Sequence, residues 1–141
     1  MDNRGRTQVF SIQLPEGITI SSQLTESEVS KIQDVLKNDK GNGYTWYCLP
    51  VIELNNKKNR ISLCYQYGVL NRVIFSVDNP ELYGHDWDDW NDSKEITRAN
   101  ETEEWLKDIG YEAGKYSWGE IWAGYEPKSA SGFVSVKLLE R

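Results

Sequence analysis

Two alternating segments joined by a glycine constrain the fold of this 141-residue chain most strongly. Every second residue of Ile61–Tyr67 is apolar or aromatic, and the same alternation returns within Leu70–Val77. A period of two predicts a strand with one buried face, and Gly68 permits a tight reversal between the two segments. We therefore predict an antiparallel β-hairpin in the middle of the chain.

Further segments indicate more strands of the same kind. Val9–Leu14 alternates and ends at a proline, while Tyr44–Leu54 is rich in aromatic and β-branched residues, with Pro50 indicating an edge position or a bulge. A terminal hairpin is predicted from Tyr116–Tyr125 and Phe133–Leu139. The connections are short, so we expect an antiparallel sheet of five or six strands.

The clearest helix signal begins at Thr25. Glu28 follows three residues later and completes a capping box. Apolar residues then recur at helical spacing, which predicts a helix that continues until the segment Asn38–Gly43; these residues are Val29, Ile32, Val35 and Leu36.

A second helix is predicted over about Glu101–Ile109, where Gly110 ends it. The preceding Asp78–Asn100 has no clean periodicity and is predicted to be a long loop, with a helical turn near Ser93–Ala99. Two helices and an antiparallel sheet make the predicted class α+β, and the length suits a single domain over residues 1–141.

The negative charge is concentrated in the stretch from Asp78 to Glu104. It holds ten acids and two bases, whereas the rest of the chain holds 12 acids and 14 bases, so the net charge of −6 originates here. Phosphate groups need positive charge, which argues against a nucleic-acid partner. A basic protein surface is the natural complement.

Tryptophans interrupt this acidic stretch and are the residues that most often anchor an interface. The alternative is that they pack in the core while the acids face water. We predict that the stretch contacts a partner through Asp86, Trp87, Asp88, Asp89, Trp90, Asp92, Glu101, Glu103 and Glu104.

The segment Trp118–Tyr125 is the second candidate surface. In a strand, Trp118, Glu120 and Trp122 share one face. Such a face suits protein binding or, as an alternative function, a carbohydrate-binding domain in which Trp118 and Trp122 stack on sugars. A packed strand is the other interpretation.

Enzyme, metal and cofactor patterns are not found in the sequence. His85 is the single histidine, and Cys48 and Cys64 lack the spacing of a zinc or redox motif, so we expect two buried, reduced thiols. A calcium loop that starts at Asp86 would need glycine and glutamate where Asn91 and Thr97 stand. We expect neither an enzyme nor a bound cofactor.

Cellular location is predicted from the polarity of the first residues and from the length of the apolar runs. Met1–Arg6 is polar and no apolar segment follows it, and no apolar run reaches membrane-spanning length. These features predict a cytoplasmic protein without membrane contact.

The terminal hairpin, from Ser117-Trp118-Gly119-Glu120-Ile121-Trp122 through Phe133-Val134-Ser135-Val136, resembles small bacterial immunity proteins of polymorphic toxin systems. Those proteins neutralise toxins delivered by contact-dependent growth inhibition or type VI secretion. The resemblance implies a one-to-one complex with a cognate toxin domain that acts in the cytosol. Nucleases are the commonest such toxins, and their basic grooves suit an acidic inhibitor.

Overall fold

A computed structural model describes residues 9–79 and 91–139 of the chain. These residues form two helices, α1 (Glu26–Ser30) and α2 (Asp92–Ile109), and a 3-10 turn at Pro15–Gly17. The strands are β1 Ser11–Gln13, β2 Thr19–Ser21, β3 Leu36–Asp39, β4 Tyr44–Cys48, β5 Ile52–Leu54, β6 Lys57–Gln66, β7 Val69–Val77, β8 Gly114–Tyr116, β9 Gly119–Glu126 and β10 Ser131–Leu138. The predicted α+β class with two helices is confirmed.

The main sheet has eight strands, so the predicted number of five or six is wrong. Its order is β3-β4-β6-β7-β10-β9-β8, with β5 also paired to β6, and neighbouring strands run antiparallel. The strands β1 and β2 form a separate two-stranded sheet. The strands missed by the prediction are short: β3, β5 and β8 have three or four residues each, too few to display a period of two.

The central hairpin is confirmed. Strands β6 and β7 are joined at Tyr67 and Gly68, whose φ angles of 49° and 83° suit a tight hairpin turn. Ile61 lies opposite Phe75 and Leu63 lies opposite Val73, and all four side chains are buried. The alternation in the sequence thus sets the register of the two longest strands.

The predicted capping box is confirmed, but α1 is much shorter than predicted. The Thr25 side chain accepts from the Glu28 backbone N–H at 3.2 Å, and Glu28 accepts from the Thr25 backbone N–H at 3.0 Å. The helix nevertheless ends at Ser30, and Asp34 has a left-handed φ of 66°. Leu36 begins β3 and is 70% exposed, because pairing with β4 overrides the helical spacing of its sequence.

The segment Tyr44–Leu54 is two strands rather than one. Strands β4 and β5 both pair with β6, and the break between them contains Pro50. Proline has no N–H for the ladder, so the chain leaves the sheet there and returns to it at Ile52.

The second helix starts nine residues earlier than predicted, at Asp92, and has 18 residues. Asn91 caps it, since the Asn91 side chain accepts from the Lys94 backbone N–H at 2.8 Å. Two of its buried residues are polar: Glu95 accepts from the Gly132 N–H at 3.0 Å, and the Thr102 hydroxyl accepts from the Val77 N–H at 3.0 Å. Glu95 interrupts the apolar stripe in the first half of the helix, which the sequence pattern did not reveal, whereas Thr102 lies in the half that was predicted.

The helix α2 packs on β7, β9 and β10, and the core lies between that face of the sheet and α1, α2, β1 and β2. The closest approach is at Gly132, where a Cβ atom would stand 1.8 Å from the Glu95 carbonyl oxygen. Trp105 is buried against Phe75 and donates to the Leu54 carbonyl at 2.8 Å. Among the described helices, none is both long and apolar enough to cross a bilayer.

Candidate functional site

The hairpin of β9 and β10 separates residues that pack from residues that face solvent. Ile121 on β9 is buried in the core, whereas its neighbours Glu120 and Trp122 are exposed. We call the side of the main sheet that carries Glu120 and Trp122 the outer face; α2 packs on the opposite side. The alternation within β9 therefore places these two predicted site residues together, as expected.

Trp118 does not belong to the outer face, so the prediction that it shares a face with Glu120 and Trp122 is wrong. It precedes β9, in the turn after β8, and is only 6% exposed. Its ring stacks on Tyr116 at 4.7 Å and lies 5.4 Å from the ring of Phe10. Trp118 is thus a core residue, and Trp118 and Trp122 do not form a pair of exposed rings.

Trp122 is the exposed aromatic residue of the hairpin, with 43% of its surface accessible. Its ring lies 5.5 Å from the ring of Phe133 on β10. The ring of Trp122 also lies over Gly124 on the same strand, because a Cβ atom on Gly124 would be 3.1 Å from Trp122 Cζ2. We call Trp122 and Phe133 the aromatic patch. The sequence prediction did not include Phe133 among the site residues. Its alternation with the apolar Val134 and Val136 was a usable signal, because alternate residues of a strand face opposite sides.

The acidic stretch is described only in part. Asp86, Trp87, Asp88, Asp89 and Trp90, which the sequence places at its centre, lie outside the described residues. The described acids of the stretch are Asp78, Asp92, Glu95, Glu101, Glu103 and Glu104.

Most of these described acids make ion pairs within the chain. Asp78 pairs with Arg60 at 2.8 Å. Glu101 pairs with Lys57 at 2.7 Å, and Glu104 pairs with Lys107 at 3.4 Å. Glu95 is buried and pairs with Arg98 at 3.4 Å. An exposed pair such as that of Glu104 with Lys107 contributes little to stability. Each pair nevertheless reduces the net negative charge that a partner meets.

Asp92 joins the acidic stretch to the hairpin. The Tyr125 hydroxyl on β9 donates to Asp92 Oδ1 at 3.4 Å. Partial burial, and then the negative charge of Asp92, raise the pKa of Tyr125 above its ordinary value. Tyr125 is three residues from Trp122 on one strand, which corresponds to about 10 Å. An odd separation along a regular strand puts the two side chains on opposite faces, so Tyr125 lies on the α2 side of the sheet with Asp92 and Trp122 lies on the outer face. The two surfaces predicted from the sequence therefore lie on opposite faces of one hairpin.

Reactive groups are few in the part of the chain that the structure describes. No three His, Cys, Asp or Glu side chains in it are grouped so that they could hold a metal ion. Both cysteines are free thiols; Cys64 is buried, as expected, but Cys48 is exposed. Burial raises the pKa of the Cys64 thiol, which disfavours the nucleophilic thiolate.

A cleft of about 700 Å³ lies between the first hairpin, α1 and the connection around Pro50. Its lining mixes apolar residues such as Leu14, Ile32 and Val51 with polar ones such as Lys31. No feature of the sequence indicated this cleft, because its walls come from segments that are separated along the chain.

Comparison with known proteins adds no constraint on these surfaces: no protein-family model, curated protein or solved structure matches the chain.

Proposed function

We propose that this chain is an immunity protein that binds and neutralises a cognate toxin domain acting in the cytosol, with a nuclease as the first candidate. The proposed action is protein–protein contact rather than catalysis. The observation that carries the proposal is the exposed ring of Trp122 on β9, and the bond between Tyr125 and Asp92 ties the acidic stretch to the other face of the same hairpin. The resemblance to immunity proteins rests on the same hairpin.

The acidic stretch and the aromatic patch suit different parts of one binding event. Acidic side chains steer a basic partner during its approach and act mainly on the association rate. A large aromatic side chain that becomes desolvated at the centre of a contact supplies most of the affinity. Trp122 has this character because its ring is accessible and is held in place by Phe133.

The described residues now divide into proposed contacts and supports. Trp122 and Glu120 on β9, with Asp92, Glu103 and Glu104 on α2, remain proposed contacts. Glu101 is committed to its pair with Lys57, and Trp118 supports the hairpin from the core. Asp86, Trp87, Asp88, Asp89 and Trp90 remain proposed contacts on the strength of the sequence.

Co-expression with the product of a neighbouring toxin gene tests the proposal. We expect the wild-type chain to restore growth and to co-purify with the toxin domain. Absence of both rescue and complex would contradict the proposal. A Trp122→Ala variant is expected to weaken binding about 30-fold, which corresponds to a hot-spot loss of about 2 kcal/mol. Tyr67→Ala is the matched control, since Tyr67 is an exposed aromatic residue at a different hairpin.

The acidic stretch is tested by charge reversal. Replacing Asp86, Asp88 and Asp89 together by lysine is expected to slow association and to reduce its dependence on salt. Stopped-flow association rates at low and high salt measure both effects. If neither changes, the main contact lies on the hairpin instead.

A further inference from the structure

A second surface lies on the outer face and has the opposite charge. Arg72 on β7 lies directly opposite Lys137 on β10. Lys137 lies opposite Glu120 on β9, and Glu120 lies opposite Lys115 on β8. We call these four residues the cationic row. Neighbouring strands are about 4.8 Å apart, so the row spans about 14 Å.

The cationic row places two like charges, Arg72 and Lys137, on directly opposite residues. All four side chains are exposed. The acids Asp78, Glu95, Glu101 and Glu104 form ion pairs with cations outside this row. Like charges directly opposite one another, such as Arg72 and Lys137, destabilise a sheet. An anionic ligand across the row would remove that cost.

An apolar row runs beside the cationic row. It lies two residues along each strand from the cationic row. In it, Ile74 lies opposite Ser135, and Ser135 lies opposite Trp122. The separation between the two rows is about 7 Å. Phe133 extends the apolar side through its contact with Trp122. The outer face therefore presents apolar and cationic groups side by side, at the spacing of alternate residues in an extended chain.

We infer that the outer face between Arg72 and Trp122 docks an extended protein segment that carries both acidic and apolar side chains. The acids lie along the cationic row and the apolar side chains lie on Ile74 and Trp122. This surface does not depend on the partner being a toxin. Single-stranded nucleic acid also combines negative charge with stacking groups, but three cations beside one acid, on a chain of net charge −6, are too few for its phosphates.

Two synthetic peptides of opposite charge test the inference. Three repeats of Glu-Ser-Glu-Leu form the acidic probe, and three repeats of Lys-Ser-Lys-Leu form its control. Each is titrated into ¹⁵N-labelled protein at low salt. We expect saturable shifts with the acidic peptide at Arg72, Lys137 and the Trp122 indole N–H, and a loss of these shifts at high salt. The basic peptide is expected to leave these signals unchanged.

Variants locate the binding surface. Arg72→Glu with Lys137→Glu is expected to weaken binding of the acidic peptide at least about tenfold, because two attractive charges become repulsive. Lys40→Glu in an exposed loop is the control for Lys137→Glu alone, because each of these single variants changes the net charge by −2. The milder pair Arg72→Gln with Lys137→Gln retains the fold if the reversed pair does not, and is expected to weaken binding in the same direction.

Three results would overturn the inference. The first is the absence of saturable shifts on the outer face with the acidic peptide. The second is equal binding by the Lys40→Glu and the Lys137→Glu variants. The third is tighter binding of oligo-thymidine than of the acidic peptide to the same signals, which would assign the surface to single-stranded nucleic acid.

Discussion

The two faces of the β9–β10 hairpin are built from alternate residues of the same strands but do different things. The inner face includes Ile121 and Val134, which are buried, and it approaches α2 so closely that Gly132 has no room for a side chain. The outer face carries Trp122, and no described helix packs on it. Residues that fold the protein and residues available to a partner therefore alternate within eight positions.

The largest effect that this comparison predicts concerns two tryptophans. We expect Trp118→Ala to lower the free energy of unfolding by about 3–5 kcal/mol, because it empties a packed site in the core. We expect Trp122→Ala to lower it by about 1 kcal/mol or less, because the ring is already partly in water. Urea denaturation followed by circular dichroism measures both. Equal losses would mean that the outer ring is also structural and would end the distinction between the faces.

Elements whose signals are local could be predicted from the sequence. The alternation in β6 and β7 defined a hairpin, the capping box defined the start of α1, and Gly110 defined the end of α2. Each of these depends on interactions within a few residues or on a repeated period, so the pattern is complete in the sequence itself.

Elements decided by distant contacts could not be predicted. Leu36 belongs to a helical stripe in sequence, yet pairing with Cys48 makes it part of a strand. The polar Glu95 and Thr102 are buried because Gly132 and Val77 offer them backbone donors, which the helical pattern cannot reveal.

The candidate surface shows the same division. The shared exposure of Glu120 and Trp122 followed from strand alternation. The contact with Phe133 lies within the predicted hairpin, but the cationic row could not be predicted, because it depends on β10 lying between β7 and β9. That strand order places Arg72 beside Lys137, which is 65 residues later in the chain.

The next effect in size concerns the close approach on the inner face. Gly132→Ala would place a Cβ atom 1.8 Å from the Glu95 carbonyl oxygen, so α2 or β10 must move. We expect a loss of about 3 kcal/mol in the free energy of unfolding, measured by urea denaturation. Gly41→Ala is the control: Gly41 has a φ of 79° but nothing within 4 Å, so its cost is backbone strain alone, about 1–2 kcal/mol. If the two variants lose the same amount, the contact between α2 and β10 is looser than described.

The smallest effect concerns the junction between the acidic stretch and the hairpin, and it is read from a titration. The pKa of Tyr125 is raised by partial burial and then by Asp92, so the neutral phenol is favoured in the folded protein. The contact with Asp92 is therefore present at neutral pH and is lost as the pH rises through the raised pKa of Tyr125. We expect Asp92→Asn to lower that pKa toward the ordinary value of 10.0, since the repulsion of the phenolate disappears.

Labelling tyrosine with ¹³C at the ζ carbon allows each phenol to be titrated separately by NMR. Tyr47 serves as the internal control, because burial and its bond to Glu26 raise the pKa of Tyr47 to about 12 and neither involves Asp92. A lower pKa at Tyr125 alone would show that Asp92, at the start of α2, contacts Tyr125, near the end of β9. An unchanged Tyr125 would mean that burial, with a contribution from Glu95, raises the pKa of Tyr125 without Asp92, and the acidic stretch would then lose its anchor on the hairpin. In that case Trp122 on the outer face would be the first residue to test for contact with the partner.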